Sequence, residues 1–356
     1  MSHPVSANNL RAEMQTSTEE CLMSIVVLSW QKFDRTTGPC LASLMQQGLA
    51  LDSELIVVDN GSTDGAAQAC ERAVDELKQD QRHAGAAIEW LPLAANLGFG
   101  GGMNAGVARS SGRWLVLVNS DTVWPANALA RLREILIKVQ HSHPTLAMLG
   151  PVTNAAGNGQ ALHLPGATHA ECLRVGEQAM ASGLNMLLSP TYRTDFFVAI
   201  IRRDAWMALQ GLDPVFGRGY YEDFDFSLRL RAAGFEQCIA EDLFVAHVGS
   251  ASFGSKSAEQ EALIRRNRGI FKARHPHALL QHQRLGNAQA LGQLLDHAER
   301  VGWTDALKAR AAWRAAMLRD GLPRSPFKRL WWQLTQRDLW RRLTRHGIEP
   351  AYPDRT

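Results

Sequence analysis

Short apolar runs alternate with amphipathic stretches along the first 150 residues of the chain. The apolar runs are residues 23–29, 54–59, 88–91, 114–118 and 146–149. Their β-branched composition and short length predict buried strands. The stretches between them predict helices that end near Gly48, Lys78, Arg109 and Gln140. Strands that alternate with helices in this way predict an α/β fold class, with a mostly parallel central sheet flanked by helices.

The second half of the chain follows a less regular pattern. Residues 152–192 lack a clear period and predict a long loop or short helices, whereas 196–201, 237–240 and 243–247 predict strands. A helix is predicted from Glu222 to a glycine cap at Gly234. After Pro276 the sequence is rich in Ala, Leu, Arg and Gln, and it predicts helices to the end. We therefore expect a disordered tail (1–20), an α/β domain (21–275) and a C-terminal helical extension (276–356).

Composition limits the classes of protein to which this chain can belong. The chain has 356 residues, 46% hydrophobic and 21% charged, and its net charge of +3 is too small to indicate nucleic-acid binding. Its five cysteines are far apart and form no CxxC pair, which favours a reducing compartment. The first twenty residues are polar, unlike a signal peptide, and no apolar run has the length of a membrane span. We therefore expect a cytoplasmic protein.

Polar residues follow several of the predicted strands, where open α/β sheets bind ligands. Asp59 ends the second strand before an Asn60-Gly61 turn, Asn96 follows the third strand, and Asp121 follows the fourth. A carboxylate in such a place can hold a divalent cation or a ribose, although a capped turn would look the same. His247 ends the last predicted strand and is a candidate second metal ligand, although a lone histidine is more often structural.

Three carboxylates, Glu222, Asp223 and Asp225, lie in the first turn of a predicted helix. The free N–H groups there favour the ionised form, so we expect a carboxylate of ordinary pKa that can act as a general base. The alternative is an acidic helix start in which Asp225 pairs with Arg229 one turn later.

A glycine-rich segment occupies residues 96–106 and includes the spacing GxGxxA at Gly100, Gly102 and Ala105. This spacing suggests a dinucleotide site and hence an NAD-dependent oxidoreductase. That fingerprint belongs in the first strand-to-helix turn, however, and here it follows the third strand. A flexible lid or a nucleotide-contacting loop fits the segment better.

Taken in order, these segments resemble the inverting family 2 glycosyltransferases of the GT-A fold, and most of all their bacterial rhamnosyltransferase-like branch. The matching pieces lie within about residues 22–275. They are Ile25-Val26-Val27-Leu28-Ser29, Val57-Val58-Asp59-Asn60-Gly61-Ser62-Thr63-Asp64-Gly65, Asn96-Leu97-Gly98-Phe99, Asn119-Ser120-Asp121, Gly211-Leu212-Asp213, Glu222-Asp223-Phe224-Asp225 with Arg229, and His247 with Gly249-Ser250-Ala251-Ser252-Phe253-Gly254. Two departures are Asn119, at the first position of the family's DxD motif, and segment 194–199, which lacks the glycine-rich stretch common in relatives.

The resemblance implies a function and a set of roles. The enzyme would move a sugar from a nucleotide sugar to a hydroxyl of a glycan or lipid-linked saccharide, in cell-surface polysaccharide synthesis. Asp223 would be the base with Glu222 beside it, Asp121 and His247 would hold Mg²⁺ or Mn²⁺, and Asp225 and Tyr221 would bind the acceptor. The residues implied for the nucleotide sugar are Ser29, Asp59, Asn60, Asn96, Gly98, Asn104, Asn119 and Ser120. A catalytically inactive nucleotide-sugar-binding protein of the same fold is the alternative.

The C-terminal extension mixes tryptophan with arginine and lysine over residues 327–343. Such a helix can lie on an anionic membrane surface, which would make the protein peripheral at the inner face of the cell membrane. The alternative is that its tryptophans pack on the α/β domain or on a second subunit.

Overall fold

The computed structural model describes residues 21–181, 183–248, 257–278 and 283–354. The tail predicted over 1–20 and the glycine–serine segment 249–254 lie outside these ranges. Ten strands are present in the described ranges: β1 (Met23–Ser29), β2 (Ser53–Asp59), β3 (Ala87–Pro92), β4 (Trp114–Asn119), β5 (Thr122–Val123), β6 (Leu146–Val152), β7 (Leu188–Pro190), β8 (Val198–Arg202), β9 (Glu236–Phe244) and β10 (Ala246–His247).

Eight of these strands form one central sheet, and the remaining two form a short ribbon. The order in the sheet is β3-β2-β1-β4-β8-β6-β9-β7, and β10 pairs with β5 in the ribbon. Strands β1 to β4 pair in parallel, and so do β6 and β9. Strand β8 runs antiparallel to both its neighbours, and β7 is antiparallel to β9. The mostly parallel sheet predicted from the sequence is confirmed.

The helices cover both faces of this sheet. They are α1 (Thr37–Met45), α2 (Ala66–Gln79), α3 (Gly98–Ala108), α4 (Ala128–Ser142), α5 (His169–Ala181), α6 (Arg203–Ala208), α7 (Glu222–Ala232), α8 (Ala258–Arg274), α9 (Gln283–Val301), α10 (Asp305–Asp320), α11 (Pro326–Thr335) and α12 (Arg337–Arg345). Short 3₁₀ turns occupy Phe33–Arg35, Gln81–His83 and Pro214–Phe216. Within the described ranges, no helix combines the length and the apolar character that crossing a bilayer requires.

Alternate residues of the central strands enter two separate cores. Ile25 and Val27 pack with α1, α2 and α4 on one face. Val26 and Leu28 pack with α3, α6 and α7 on the other face. Because both faces are covered, these strands are apolar at successive positions rather than at every second one.

The glycine-rich segment is a helix, so the expectation of a flexible lid or loop there is wrong. A side chain at Gly102 would lie 2.5 Å from Leu28, and one at Gly106 would overlap Val26 and Val58. These glycines therefore allow α3 to approach β1 and β2 closely. This packing accounts for the spacing that suggested a dinucleotide site.

Three other local features extend or differ from the predictions. Residues 152–192 contain the helix α5 and the short strand β7. The helix α6 follows β8 directly and was not predicted. The two strands predicted over 237–247 are one continuous strand, β9, followed by the two-residue β10.

The C-terminal helices dock on β9 through a buried ionic cluster. Glu241 is fully buried, and its carboxylate lies 2.9 Å from Arg310 Nη1 and 2.6 Å from Arg314 Nη2. Ser189 Oγ donates a further hydrogen bond of 3.1 Å to the same carboxylate. One acid inside the sheet therefore forms ion pairs with two guanidinium groups of α10.

We expect Glu241→Gln to lower the free energy of unfolding by about 3–5 kcal/mol, because it leaves two buried cations without a counter-charge. Denaturant titration followed by circular dichroism measures this change. Glu261→Gln is the matched control, since it removes an exposed pair with Arg265 (3.5 Å) and should cost less than about 1 kcal/mol. Equal losses in the two variants would contradict a special role for the buried cluster.

Candidate functional site

Strand register brings the predicted site residues to one edge of the sheet. Ser29 lies opposite Asp59 in the β1–β2 pair, and Leu28 lies opposite Asn119 in the β1–β4 pair. Because β8 runs in the opposite direction, its start lies at this same edge, where Phe197 O accepts a hydrogen bond of 2.9 Å from Asn119 N. Asp59 and the Asn119–Asp121 turn therefore share one side of the molecule with the segment that precedes β8.

Asp59 carries an unused acceptor at this edge. Its side chain is almost completely buried, and its Oδ2 accepts a hydrogen bond of 3.1 Å from Ser62 N. Its Oδ1 is buried and has no hydrogen-bond partner among the described residues. A buried acceptor without a donor is costly, so this atom is suited to accept a hydrogen bond from a ligand.

Asn60 is hydrogen-bonded to Asn96 and Gly98 beside Asp59. Asn60 Nδ2 donates to Asn96 Oδ1 (3.2 Å) and to Gly98 O (3.1 Å), and its Oδ1 accepts from Leu97 N (2.9 Å). Gly98 has φ +77°, and a side chain there would overlap Gly217 O. These residues shape the wall of the site, since the polar atoms of the Asn60 amide are already bonded within the protein.

Ser29 and Asn104, which were expected to bind the nucleotide sugar, both have hydrogen-bond partners within the protein. Ser29 is fully buried, with its Oγ 2.8 Å from Thr37 Oγ1 and 3.2 Å from Cys70 Sγ. Asn104 bonds the backbone of Leu212 with both ends of its amide, at 2.8 and 3.0 Å. Ser29 Oγ is thus committed to buried partners, whereas the half-buried Asn104 amide keeps one N–H and one oxygen lone pair beyond these two bonds.

Asp121 and His247 form a half-buried pair at the same edge. The β5–β10 ribbon places His247 opposite Thr122. Asp121 Oδ2 lies 3.3 Å from His247 Nε2. Burial alone would lower the pKa of His247, but the hydrogen bond and the charge of Asp121 outweigh it, so the pKa is raised above its ordinary value.

The donor set of this pair fits a divalent cation. His247 Nδ1 lies 3.2 Å from Ala155 O, and because a carbonyl only accepts, Nδ1 carries the proton. Nε2 is thereby directed at Asp121, and once it loses the proton that it donates to Asp121 it can offer its lone pair to a metal, with a carboxylate oxygen alongside. Within the described chain, no group of three or more potential ligand side chains could hold a metal. A cation here would need further oxygen ligands from a bound phosphate or water.

Glu222 and Asp223 begin α7 after a strained loop. Tyr220 and Tyr221 both have left-handed backbone angles, with φ +72° and +77°, a conformation that costs of order 1–3 kcal/mol for each residue. Asn267 of α8, which is fully buried, holds this loop. Its Nδ2 lies 2.7–3.1 Å from the carbonyl oxygens of Phe216, Gly219 and Tyr220. Asn267 thus positions the two acids. It could not be predicted from the sequence because it lies far along the chain from Glu222 and Asp223.

The expectation of an ordinary pKa for Asp223 is wrong. Burial, followed by the charge of Asp195, raises the pKa of Asp223 to about 7. Burial and the charge of Asp223 raise the pKa of Glu222 to about 8, and Glu222 Oε2 has no partner within the described residues. The first-turn N–H groups do favour ionisation, with Phe224 N donating to Asp223 Oδ1 at 2.8 Å, but desolvation outweighs them.

Asp195 and Arg193 are site residues that the sequence analysis did not identify. The Asp195 charge adds to the pKa shifts of both Asp223 and His247, so it lies within electrostatic reach of both. Arg193 Nη2 pairs with Asp195 Oδ1 at 3.2 Å, and its guanidinium stacks over the Phe224 ring at 3.7 Å. Asp195 therefore connects the acid pair with the Asp121–His247 pair.

Asp225 forms buried ion pairs that stabilise the fold, which corrects its expected role in acceptor binding. Its fully buried carboxylate accepts from Arg229 (2.7 Å), Arg274 (3.0 Å) and His275 (2.9 Å). Burial alone would raise its pKa, but these partners outweigh burial and lower it. The predicted Asp225–Arg229 pair is confirmed. Tyr221 is half-buried, and its ring packs 5.4 Å from that of Phe271.

Comparison with known proteins finds a family match over part of the chain. The sequence model of "Glycosyl transferase family 2" matches residues 24–150. An uncharacterized glycosyltransferase of Nostoc sp. (strain PCC 7120 / SAG 25.82 / UTEX 2576) is 31% identical over 110 residues. The match spans 31% of this chain and 31% of that relative, about a third of its length. Residues 24–150 are thus a glycosyltransferase family 2 segment.

Solved structures show the same fold. GalNAc-T7 superposes with a TM-score of 0.52 at 13% identity, over 80% of this chain and 55% of that one. The mannosyltransferase PcManGT from Pyrobaculum calidifontis gives a TM-score of 0.48 at 15% identity, over 93% of this chain and 88% of that one. The superposition on GalNAc-T7 shows the GT-A fold that the motifs of the chain predict.

The raised pKa of Asp223 makes stability depend on pH. The folded protein holds this proton to higher pH than the unfolded chain does, so the free energy of unfolding falls as pH rises from about 4 to about 7. We expect Asp223→Asn to raise the melting temperature at pH 8 by several degrees and to change it little at pH 4. Differential scanning fluorimetry at both pH values tests this. The control Asp75→Asn, at an exposed position, should show no such pH dependence; a similar dependence in both variants would refute the assignment.

Proposed function

We propose that the protein is an inverting, metal-dependent glycosyltransferase. It transfers a hexosyl or rhamnosyl group from a nucleoside-diphosphate sugar to a hydroxyl of a glycan or lipid-linked saccharide, in the synthesis of cell-surface polysaccharide. One observation carries the proposal: Asp223, with its raised pKa, and the Asp121–His247 pair both lie within electrostatic reach of Asp195. The family 2 match over residues 24–150 supports it.

The donor is assigned to the edge formed by β1, β2 and β4. The unpaired Asp59 Oδ1 would accept a hydrogen bond from the base or ribose. Asn96, Asn119 and Ser120 lie half-buried beside it and would contact the nucleotide sugar. GalNAc-T7, which has the same fold, is described with UDP, GalNAc and Mn²⁺, and this agrees with a nucleotide-sugar donor.

Asp121 and His247 would hold Mg²⁺ or Mn²⁺. When bound, the cation would offset the negative charge that develops on the departing nucleoside diphosphate. The chain itself fixes the two ligand atoms: the Ala155 carbonyl sets the tautomer of His247, and the β5–β10 ribbon sets its distance from Asp121.

Asp223 would act as the general base. Its carboxylate takes the proton of the acceptor hydroxyl while that oxygen forms a bond to the anomeric carbon. The bond from this carbon to the diphosphate oxygen breaks on the opposite face, which inverts the configuration. A pKa of about 7 suits this step, because such a base is ionised near neutral pH and still binds a proton strongly. Glu222 and Tyr221 would line the acceptor side, with residues 21–275 as the catalytic unit.

Asp223→Asn should retain donor binding and lose transfer, because it removes the proton acceptor and keeps the shape. General-base catalysis contributes roughly 10²–10⁴-fold, so we expect kcat to fall within that range with the donor Kd unchanged. A thermal-shift screen of UDP, dTDP and GDP sugars with Mn²⁺ identifies the donor, and release of its nucleoside diphosphate measures turnover. Asp204→Asn, at an exposed position, is the control. Normal turnover by Asp223→Asn would show that Asp223 is not the general base.

Asp121→Ala should abolish the dependence of donor binding on Mn²⁺, since it removes a metal ligand. Isothermal titration with the nucleoside diphosphate, with and without Mn²⁺, tests this; we expect a gain of tenfold or more from Mn²⁺ in the natural protein and none in the variant. Asp80→Asn, in an exposed turn, should behave like the natural protein. An undiminished effect of Mn²⁺ in Asp121→Ala would exclude this residue as a ligand. An inactive binding protein would bind the donor without turnover in the preceding assay.

A further inference from the structure

Helix α11 presents an apolar stripe to solvent. Phe327, Leu330, Trp331 and Leu334 are 86%, 57%, 64% and 57% exposed. Their spacing of i, i+3, i+4 and i+7 places them on one side of a helix. We call these four side chains the outer face of α11.

The opposite side of the same helix is anchored to the protein. Trp332 is 6% exposed and packs in the C-terminal core with Leu343 of α12. Arg342 of α12 pairs with Asp296 and Glu299 of α9 at 2.7 and 2.9 Å. Of the adjacent residues Trp331 and Trp332, Trp332 is therefore buried in the C-terminal core. The outer face, which includes Trp331, is left uncovered by the described chain. Contiguous exposed apolar side chains of this size mark an interaction surface.

Positive charge is concentrated in the segment that contains the outer face. Residues 324–345 contain seven arginines and lysines and one acid, Asp338. The exposed cations include Arg324, Lys328, Arg337, Arg341 and Arg345. An apolar stripe within a basic surface is complementary to an anionic bilayer, in which apolar side chains enter the headgroup boundary and cations meet phosphates.

We propose that the outer face of α11 binds the surface of an anionic lipid membrane, with the helix lying in the plane of the interface. A second copy of the chain is a poorer occupant, because a two-fold contact would bring the two basic surfaces against each other. The inference is independent of the proposed transferase activity, since it concerns only the binding of vesicles.

The test is flotation of the full chain with vesicles of phosphatidylcholine alone or with about 30% phosphatidylglycerol. We expect binding to the anionic vesicles, weakened by about 0.5 M salt because salt screens the charges. Leu330→Glu should reduce the bound fraction about tenfold or more, since it puts a charge into the apolar stripe. Lys328→Glu with Arg341→Glu should weaken binding to anionic vesicles. The control Leu51→Glu changes an equally exposed leucine elsewhere (70%) and should bind normally.

Two outcomes would overturn the proposal. One is absence of binding to anionic vesicles, or equal binding by Leu330→Glu and Leu51→Glu. The other is a concentration-dependent dimer in light scattering that Leu330→Glu dissociates, without vesicle binding, which would assign the outer face to a second copy. Melting temperatures of all variants, measured alongside, separate loss of binding from loss of folding.

Discussion

The candidate site depends on the burial of two neighbouring acids, Glu222 and Asp223. Asp195, Glu222 and Asp223 lie close enough for their charges to interact, and Arg193 is the guanidinium that faces them, paired with Asp195 and stacked on Phe224. Burial, followed by the charge of a neighbouring acid, raises the pKa of Asp223 to about 7 and that of Glu222 to about 8. Carboxyl groups with pKa values shifted in this way cluster at functional sites.

The features that could be predicted from the sequence are those that depend on residues close together along the chain. The apolar runs of β1, β2 and β4 are continuous because helices cover both faces, so strand positions and the mostly parallel sheet could be read directly. Asp59 and Asp121 could be found because strand ends meet at one edge of such a sheet.

What the sequence could not predict depends on contacts between distant segments. Asp195 joins the site because β8 is reversed, and a single strand carries no sign of its direction. Ser29 and Asp225 matched family motifs, yet their polar atoms are satisfied inside the protein by Thr37 and Arg274. The desolvation that raises the pKa of Asp223 likewise comes from packing that no local pattern encodes.

The Glu241 cluster has a consequence for the division of the chain. Glu241 belongs to β9, in the sheet that carries the site, whereas both guanidinium groups that neutralise it belong to α10. Shortening the chain near residue 275 would remove both of these cations together with α10. A shortened or exchanged helical region would therefore leave that acid without its charge partners, and a neutral residue at the same position would avoid this.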